Sequence, residues 1–179
     1  DSHVIAPGFI DMHAHSDVTM LDDPNGESKA YQGVTTEVSG NCGSTPYPAG
    51  IFGPGEELRK NQPTHPIPHS PTKWDWHDLD SWANYTDEAG ISLNIVPQIG
   101  HSSIKKASGG SEQRPADKDE RAMMKKLTAE AIEQGAVAVT NGLTGAHFSG
   151  APTSEIIELV STASEYKNAF YSTHPRLAG

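Results

Sequence analysis

Two kinds of apolar run alternate along this chain. Short runs rich in β-branched residues at 4–10, 34–39, 91–99, 136–140 and 169–173 predict five buried strands. Each is punctuated by a strand breaker. Pro7 and Gly8 interrupt the first, Gly40 ends the second, and Pro97 falls near the end of the third, where a lost ladder bond is tolerable. Asn141 and Gly142 close the fourth, and His174 and Pro175 the fifth. The longer runs between them have helical spacing. Over 78–89, Leu79, Trp82, Ala83, Thr86 and Ala89 share one side, and Gly90 is a natural stop. Over 117–134, Asp117 and Glu120 form a capping pair, Met123, Leu127 and Ala131 a stripe, and Gly135 an end. Over 154–167, Ile156, Ile157, Val160 and Ala163 recur in the same way. With a short helix between the first two strands, the order predicts an α/β fold of parallel strands with helical crossovers. No repeat of fixed period is visible.

One segment breaks the alternation. Residues 44–77 hold Pro46, Pro48, Pro54, Pro63, Pro66, Pro68 and Pro71. A stiff loop of this length after a strand is expected to form a lid or rim over the strand ends, with a plain surface excursion or linker as the alternative. His65 and His69 have a spacing that suits a helix face, but the prolines around them forbid that helix. Those two and His77 read as loop residues.

Composition narrows the function classes. With 35% hydrophobic and 20% charged residues, the chain is globular, and its 179 residues suffice for one domain with a sizeable core. A formal net charge of −10 argues against a nucleic-acid partner, because phosphate binding needs clustered Lys and Arg. No apolar run approaches the roughly 20 residues that cross a bilayer, and no signal-like segment opens the sequence, so no membrane partner is expected. Cys42 is the only cysteine, which excludes an internal disulfide and fits a reducing, cytoplasmic compartment. Nothing in the composition assigns an oligomeric state. The phosphate loop, the dinucleotide fingerprint and the nucleophile elbow are all absent.

The chemistry-bearing residues gather where strands are expected to end. In Phe9-Ile10-Asp11-Met12-His13-Ala14-His15, strand alternation points His13 and His15 the same way, about 7 Å apart. Two imidazoles at a strand end suit Zn²⁺, although a bare H-x-H pair is common by chance. Cys42 follows the second strand in Ser39-Gly40-Asn41-Cys42-Gly43. A lone cysteine is usually a small buried hydrophobe, but sites in parallel α/β folds lie at the carboxyl ends of strands. His101 closes the third predicted strand in Ile99-Gly100-His101-Ser102, and His174 the fifth in Tyr171-Ser172-Thr173-His174. Four candidates at four such ends outweigh any one of them alone.

Taken together, four stretches resemble the N-acyl-D-amino-acid deacylases, or D-aminoacylases, of the amidohydrolase superfamily. The run from Ala6 to Asp17 is similar to that family's opening strand. Gly33-Val34-Thr35-Thr36, running on to Gly40-Asn41-Cys42-Gly43, resembles its second strand and characteristic cysteine, which sets this branch apart from relatives bridging their metals with a modified lysine. Gly100-His101-Ser102-Ser103 and Thr173-His174-Pro175-Arg176 resemble its third strand end and its T-H-x-R element. Two departures stand out. The segment Gly142 to Phe148 lacks the family's tyrosine and Pro-Gly pair, and Lys105 stands where the family tends to have arginine.

The resemblance implies the first five strands of a (β/α)₈ barrel, of which residues 1–179 would be the N-terminal part. A complete barrel needs about 250 residues. The later zinc histidine, the catalytic aspartate and the small β domain are therefore expected beyond Gly179. It also implies a zinc site of His13, His15, Cys42 and His174, with Asp17, His101 and Arg176 binding substrate or supporting the ligands. The implied reaction is hydrolysis of the amide in an N-acyl-D-amino acid, with the metal polarising the acyl carbonyl and a carboxylate base, not identifiable in this sequence, moving the proton. The alternatives are another amide or dipeptide hydrolase of the superfamily, and a truncated chain that binds metal without catalysis.

Overall fold

The computed structural model describes residues 3–17, 19–48, 76–144 and 150–176. In chain order the described elements are β1 (Phe9–Asp11), α1 (Glu27–Ala30), β2 (Val34–Ser39), α2 (Leu79–Ala89), β3 (Asn94–Pro97), β4 (Ile99–Gly100), α3 (His101–Ala107), α4 (Lys118–Glu133), β5 (Ala138–Gly142), α5 (Thr153–Ser164) and β6 (Phe170–His174). Short 3₁₀ turns lie at Thr19–Leu21 and Asn41–Gly43. Every strand pairing is parallel, in two three-stranded ladders of order β1-β2-β3 and β4-β5-β6.

The third predicted strand, 91–99, is these two short pieces, β3 and β4, with Gln98 between them. Proline has no N–H to give a ladder, and around Pro97 the run bonds β2 on one side and the approach to β5 on the other. Gln98 N donates to Ser39 O on β2 at 3.1 Å, and Pro97 O accepts from Val137 N, just ahead of β5, at 2.9 Å. The two ladders thus meet along 94–100, and the mixed α/β architecture with parallel strands is as the sequence predicts.

The helices form for the expected reasons; α2 keeps the expected face, whereas α4 and α5 settle in a different phase. Asp78 caps α2 by accepting from Ser81 N at 2.9 Å, Leu79, Trp82 and Thr86 are buried, and Gly90 ends it in the left-handed region at φ 75°. Asp117 and Glu120 form the predicted capping box of α4, each side chain bonding the other's backbone N–H. Its buried stripe is Glu120, Met124, Thr128 and Ala131, however, and Met123 is exposed. Glu120 is tied to Arg114 and to the cap, so it turns toward the protein and rotates the apolar face by one position. In α5 the buried face is Glu155, Ile156, Leu159, Thr162 and Ala163, which leaves Ile157 outside. Again a buried glutamate sets the phase.

The core lies between strands and helices, where Tyr47, Trp82, Ile99, Met124, Val139 and Leu159 pack together. Among the described residues, β1 and β6 each pair on one side only. Phe9 of β1 is 63% exposed and Phe170 of β6 44%, so these outer strands carry uncovered apolar side chains. No described helix is long and apolar enough to cross a membrane. Residues 44–48 run inward, with Thr45 N donating to Ser103 Oγ at 2.8 Å and Tyr47 OH to Gln98 O at 2.9 Å. Of the lid or rim expected over 44–77, residues 49–75, with His65 and His69, lie outside the described residues.

Candidate metal centre

The parallel strands place the segments after β1 and β2 and the end of β6 at one edge of the fold, and three candidate ligands converge on Cys42 there. Cys42 Sγ lies 3.5 Å from His13 Nε2 and 3.7 Å from His174 Nδ1. His13, His15 and Cys42 each offer a donor atom, all within 4.8 Å of one another. The His13 and His15 rings meet edge to face with centroids 5.2 Å apart.

These separations can be tested against a metal. Zinc holds thiolate sulfur at about 2.3 Å and imidazole nitrogen at about 2.0–2.1 Å in tetrahedral sites. Two such ligands of one ion are therefore about 3.5 Å apart by geometry. Both sulfur–nitrogen distances agree with this. A thiol can also donate to one imidazole and accept from the N–H of the other, so the two distances fit a shared ion without demanding one.

The local backbone explains how Cys42 is presented. Gly40, Cys42 and Gly43 all have positive φ, at 87°, 55° and 82°. Glycine adopts this region freely, whereas a non-glycine residue held there costs about 1–3 kcal/mol. Thr140 of β5 clamps the turn, its hydroxyl donating to Gly40 O at 2.6 Å and accepting from Gly43 N at 3.2 Å. Close packing then requires glycine beneath it, since a Cβ on Gly142 would meet Cys42 O at 2.5 Å. Gly142→Ala is accordingly expected to displace the Cys42 turn and to cost about 1–3 kcal/mol, as overpacking against backbone does. A urea midpoint unchanged from wild type would show that the turn yields freely.

Around His13 the support is ionic. Asp11 Oδ1 accepts from His13 N at 3.0 Å, and Asp11 also pairs with Lys29, whose Nζ lies 3.2 Å from Glu37 Oε1. The hydrogen bond from Lys29 holds the Asp11 carboxyl below its ordinary range. Burial, and then the charge of His13, push the His15 imidazole down and favour the neutral ring that a metal requires. Burial pushes the Cys42 thiol up. Asp17 is buried, and burial drives its carboxyl up to about 7, with the negative Glu37 nearby adding to the effect.

The remaining sequence candidates lie apart from Cys42 in their bonding. His101 opens α3, is 3% exposed, and bonds through Nε2 to Glu155 Oε1 at 2.8 Å. Arg176 binds Ala151 O at 2.6 Å and Thr153 Oγ1 at 3.3 Å, which ties the residue after β6 to the start of α5. Sequence reasoning passes over Thr140, although a threonine beside the Asn141-Gly142 stop of a strand was the available signal.

Comparison with known proteins bears on this arrangement. The sequence profile of the amidohydrolase family matches residues 3–166. An N-acyl-D-aspartate deacylase from Alcaligenes xylosoxydans xylosoxydans is 33% identical over 181 residues, covering 96% of this chain and 33% of the relative. A D-aminoacylase from the same organism is 32% identical, covering 98% of this chain and 35% of that one. A crystal structure of D-aminoacylase superposes with a TM-score of 0.76 at 28% identity, over 94% of this chain and 34% of that one. An N-acyl-D-glutamate deacylase from Bordetella bronchiseptica, solved with zinc and a phosphonate mimic of the tetrahedral intermediate, gives 0.75 at 26% identity, over 94% and 34% respectively. The chain thus spans about a third of the length of these relatives.

Proposed function

Because this chain belongs to the amidohydrolase family, we propose that the protein carrying it hydrolyses the amide bond of an N-acyl-D-amino acid with the help of zinc. The observation that carries the proposal is the convergence of His13 Nε2 and His174 Nδ1 on Cys42 Sγ, at 3.5 and 3.7 Å, with His15 beside them. A thiolate with imidazoles is a donor set that favours zinc over magnesium or calcium. The similarity to deacylases of N-acyl-D-aspartate and N-acyl-D-glutamate supports the substrate class.

In this reading His13, His15, Cys42 and His174 hold the metal. Zinc there supplies Lewis acidity to an amide carbonyl and acidifies water. The chain's own residues contribute position. Asp11 fixes the His13 backbone, Thr140 fixes the Cys42 turn, and Arg176 anchors the segment after His174 to α5. Asp17 and Arg176 remain our candidates for substrate binding or ligand support, whereas the His101 ring is committed to Glu155 in the interior. The five-strand array is read as the first part of a (β/α)₈ barrel, with the uncovered edges of β1 and β6 as the places where further strands would pair.

The test is metal analysis and assay of protein expressed from the complete reading frame. We expect bound zinc, hydrolysis of N-acetyl-D-aspartate, N-acetyl-D-glutamate or an apolar N-acetyl-D-amino acid, and little turnover of the L-forms. A strong chelator should remove both metal and activity. Zinc-replete protein with no bound metal would sink the proposal, and metal-bound protein that cleaves only cyclic amides or dipeptides would move it to another branch of the family.

A further inference from the structure

Asn41, immediately before Cys42, is 1% exposed, yet its side chain does not touch any candidate ligand atom. Its Nδ2 donates to Ala14 O at 3.1 Å and to Val38 O at 2.8 Å. Ala14 is the residue between His13 and His15, and its own N–H donates to the same Val38 O at 3.0 Å. Asn41 Oδ1 in turn accepts from Gln98 Nε2 at 3.0 Å, and Gln98 is fully buried. Both amide donors and the amide acceptor are therefore used. A flipped amide would set oxygen against two carbonyls, so the Ala14 and Val38 carbonyls fix which way Asn41 faces, and the bond from Gln98 to its Oδ1 reinforces that orientation.

We infer that Asn41, buttressed by Gln98, is a positioning residue that holds the His13–His15 segment at a fixed distance from Cys42. This rests on the metal reading above. The two segments lie far apart in sequence, 27 residues from Ala14 to Asn41. They are joined by strand pairing only as far as Asp11↔Glu37, before either cluster begins. Beyond that point the Ala14–Val38 bond and the Asn41 amide are the hydrogen bonds that tie the backbone between His13 and His15 to the Cys42 segment, beside the Cys42–His13 contact itself and the Ser16–Glu37 side-chain bond. A carboxylate has no donors and a hydroxyl has one, so of the side chains of this size only an amide completes the arrangement. Such supporting contacts around metal ligands typically carry about 10–100-fold in metal affinity.

The probe is cobalt(II), which binds in place of zinc and reports a thiolate ligand through its near-ultraviolet charge-transfer band. It is titrated into protein expressed from the complete reading frame. Asn41→Leu keeps the branched shape and removes all three hydrogen bonds. Gln98→Met leaves the two Asn41 donor bonds in place and removes the bond to its Oδ1. We expect the cobalt Kd to rise about 10–100-fold in Asn41→Leu, with a weakened or shifted thiolate band, and to move the same way by less in Gln98→Met. Leu159→Ala, a core truncation in α5, should lower stability while leaving band and Kd at wild-type values. Should Asn41→Leu not fold, Gln98→Met decides alone. Wild-type band and Kd in the folded variants overturn the inference and leave the metal site standing. A wild type that takes up no cobalt overturns the metal reading and this inference with it.

Discussion

Replacing Cys42 by alanine is expected to abolish tight zinc binding, with the metal Kd rising about a thousandfold. Structural zinc sites with four ligands bind with about 10–16 kcal/mol. An equal share per ligand is then about 2.5–4 kcal/mol, and each 1.4 kcal/mol is about tenfold, so about a thousandfold is the upper end of an equal share. Cys42 should carry at least that share, because its thiolate brings full negative charge where an imidazole brings none. It is also the side chain within 3.5–3.7 Å of both His13 and His174. Cys42→Ser gives the cleaner comparison, since it keeps the shape of the strained turn while replacing a strong ligand with a weak one. His101→Ala is the control. Its ring is committed to Glu155, so it should lower stability and leave zinc content per folded molecule unchanged. Equal zinc loss from Cys42→Ser and His101→Ala, measured on purified folded protein, would contradict this ranking.

In the amino-acid sequence His101 and His174 look alike, each a histidine closing a predicted strand. What separates them is a contact from 54 residues away in sequence, Glu155, which captures His101 into the interior. Nothing local to Gly100-His101-Ser102 announces it. The short helix α3 is hidden for a related reason. Its residues from His101 to Lys105 are all buried, so it has no polar face and no helical periodicity to read. Strands ending in glycine, asparagine or proline were legible because those residues act on the backbone they belong to. Helix phase was less so. The stripes predicted at Met123 and Ile157 give way to faces set by Glu120 and Glu155, two charges that a hydrophobic pattern assigns to solvent. At the candidate metal centre His13, His15, Cys42 and His174 could be nominated because each is a ligand type at a strand end. Asn41 could not, since its side chain works through hydrogen bonds that leave no trace in spacing, and Thr140 offered only its place beside the Asn141-Gly142 strand stop.

Glu155 itself should be worth more to stability than any exposed ion pair in the chain. Its Oε1 accepts from Lys105 Nζ and His101 Nε2, both at 2.8 Å, and its Oε2 from Ala116 N at 2.7 Å. Lys105 is fully buried and gives a further bond to Arg114 O at 2.7 Å. Arg114 and Glu120, bonded to each other, lie on the flank of the cluster. Burial alone would raise the Glu155 carboxyl, but the bonds from His101, Lys105 and Ala116 outweigh it and hold the group at about 2. Against an unfolded value of 4.5, that lowering corresponds to about 3 kcal/mol of stability at neutral pH. The folded value lies below the unfolded one, so this contribution is complete above about pH 5 and drains away as pH falls toward 2. Glu155→Gln removes the charge and leaves the Lys105 ammonium buried without its partner, an arrangement that typically costs about 3–5 kcal/mol. The variant should therefore be less stable by about that much at pH 7, with about half of the difference gone by about pH 3 and most of it by about pH 2, where the wild type has lost its own share. Urea unfolding of both proteins across that range checks this, and the other carboxylates cancel in the difference between the two curves. Two curves that fall in parallel from neutral pH to about pH 3 would mean that Glu155 is not held as a carboxylate in the folded chain, and that Lys105 finds its counter-charge elsewhere.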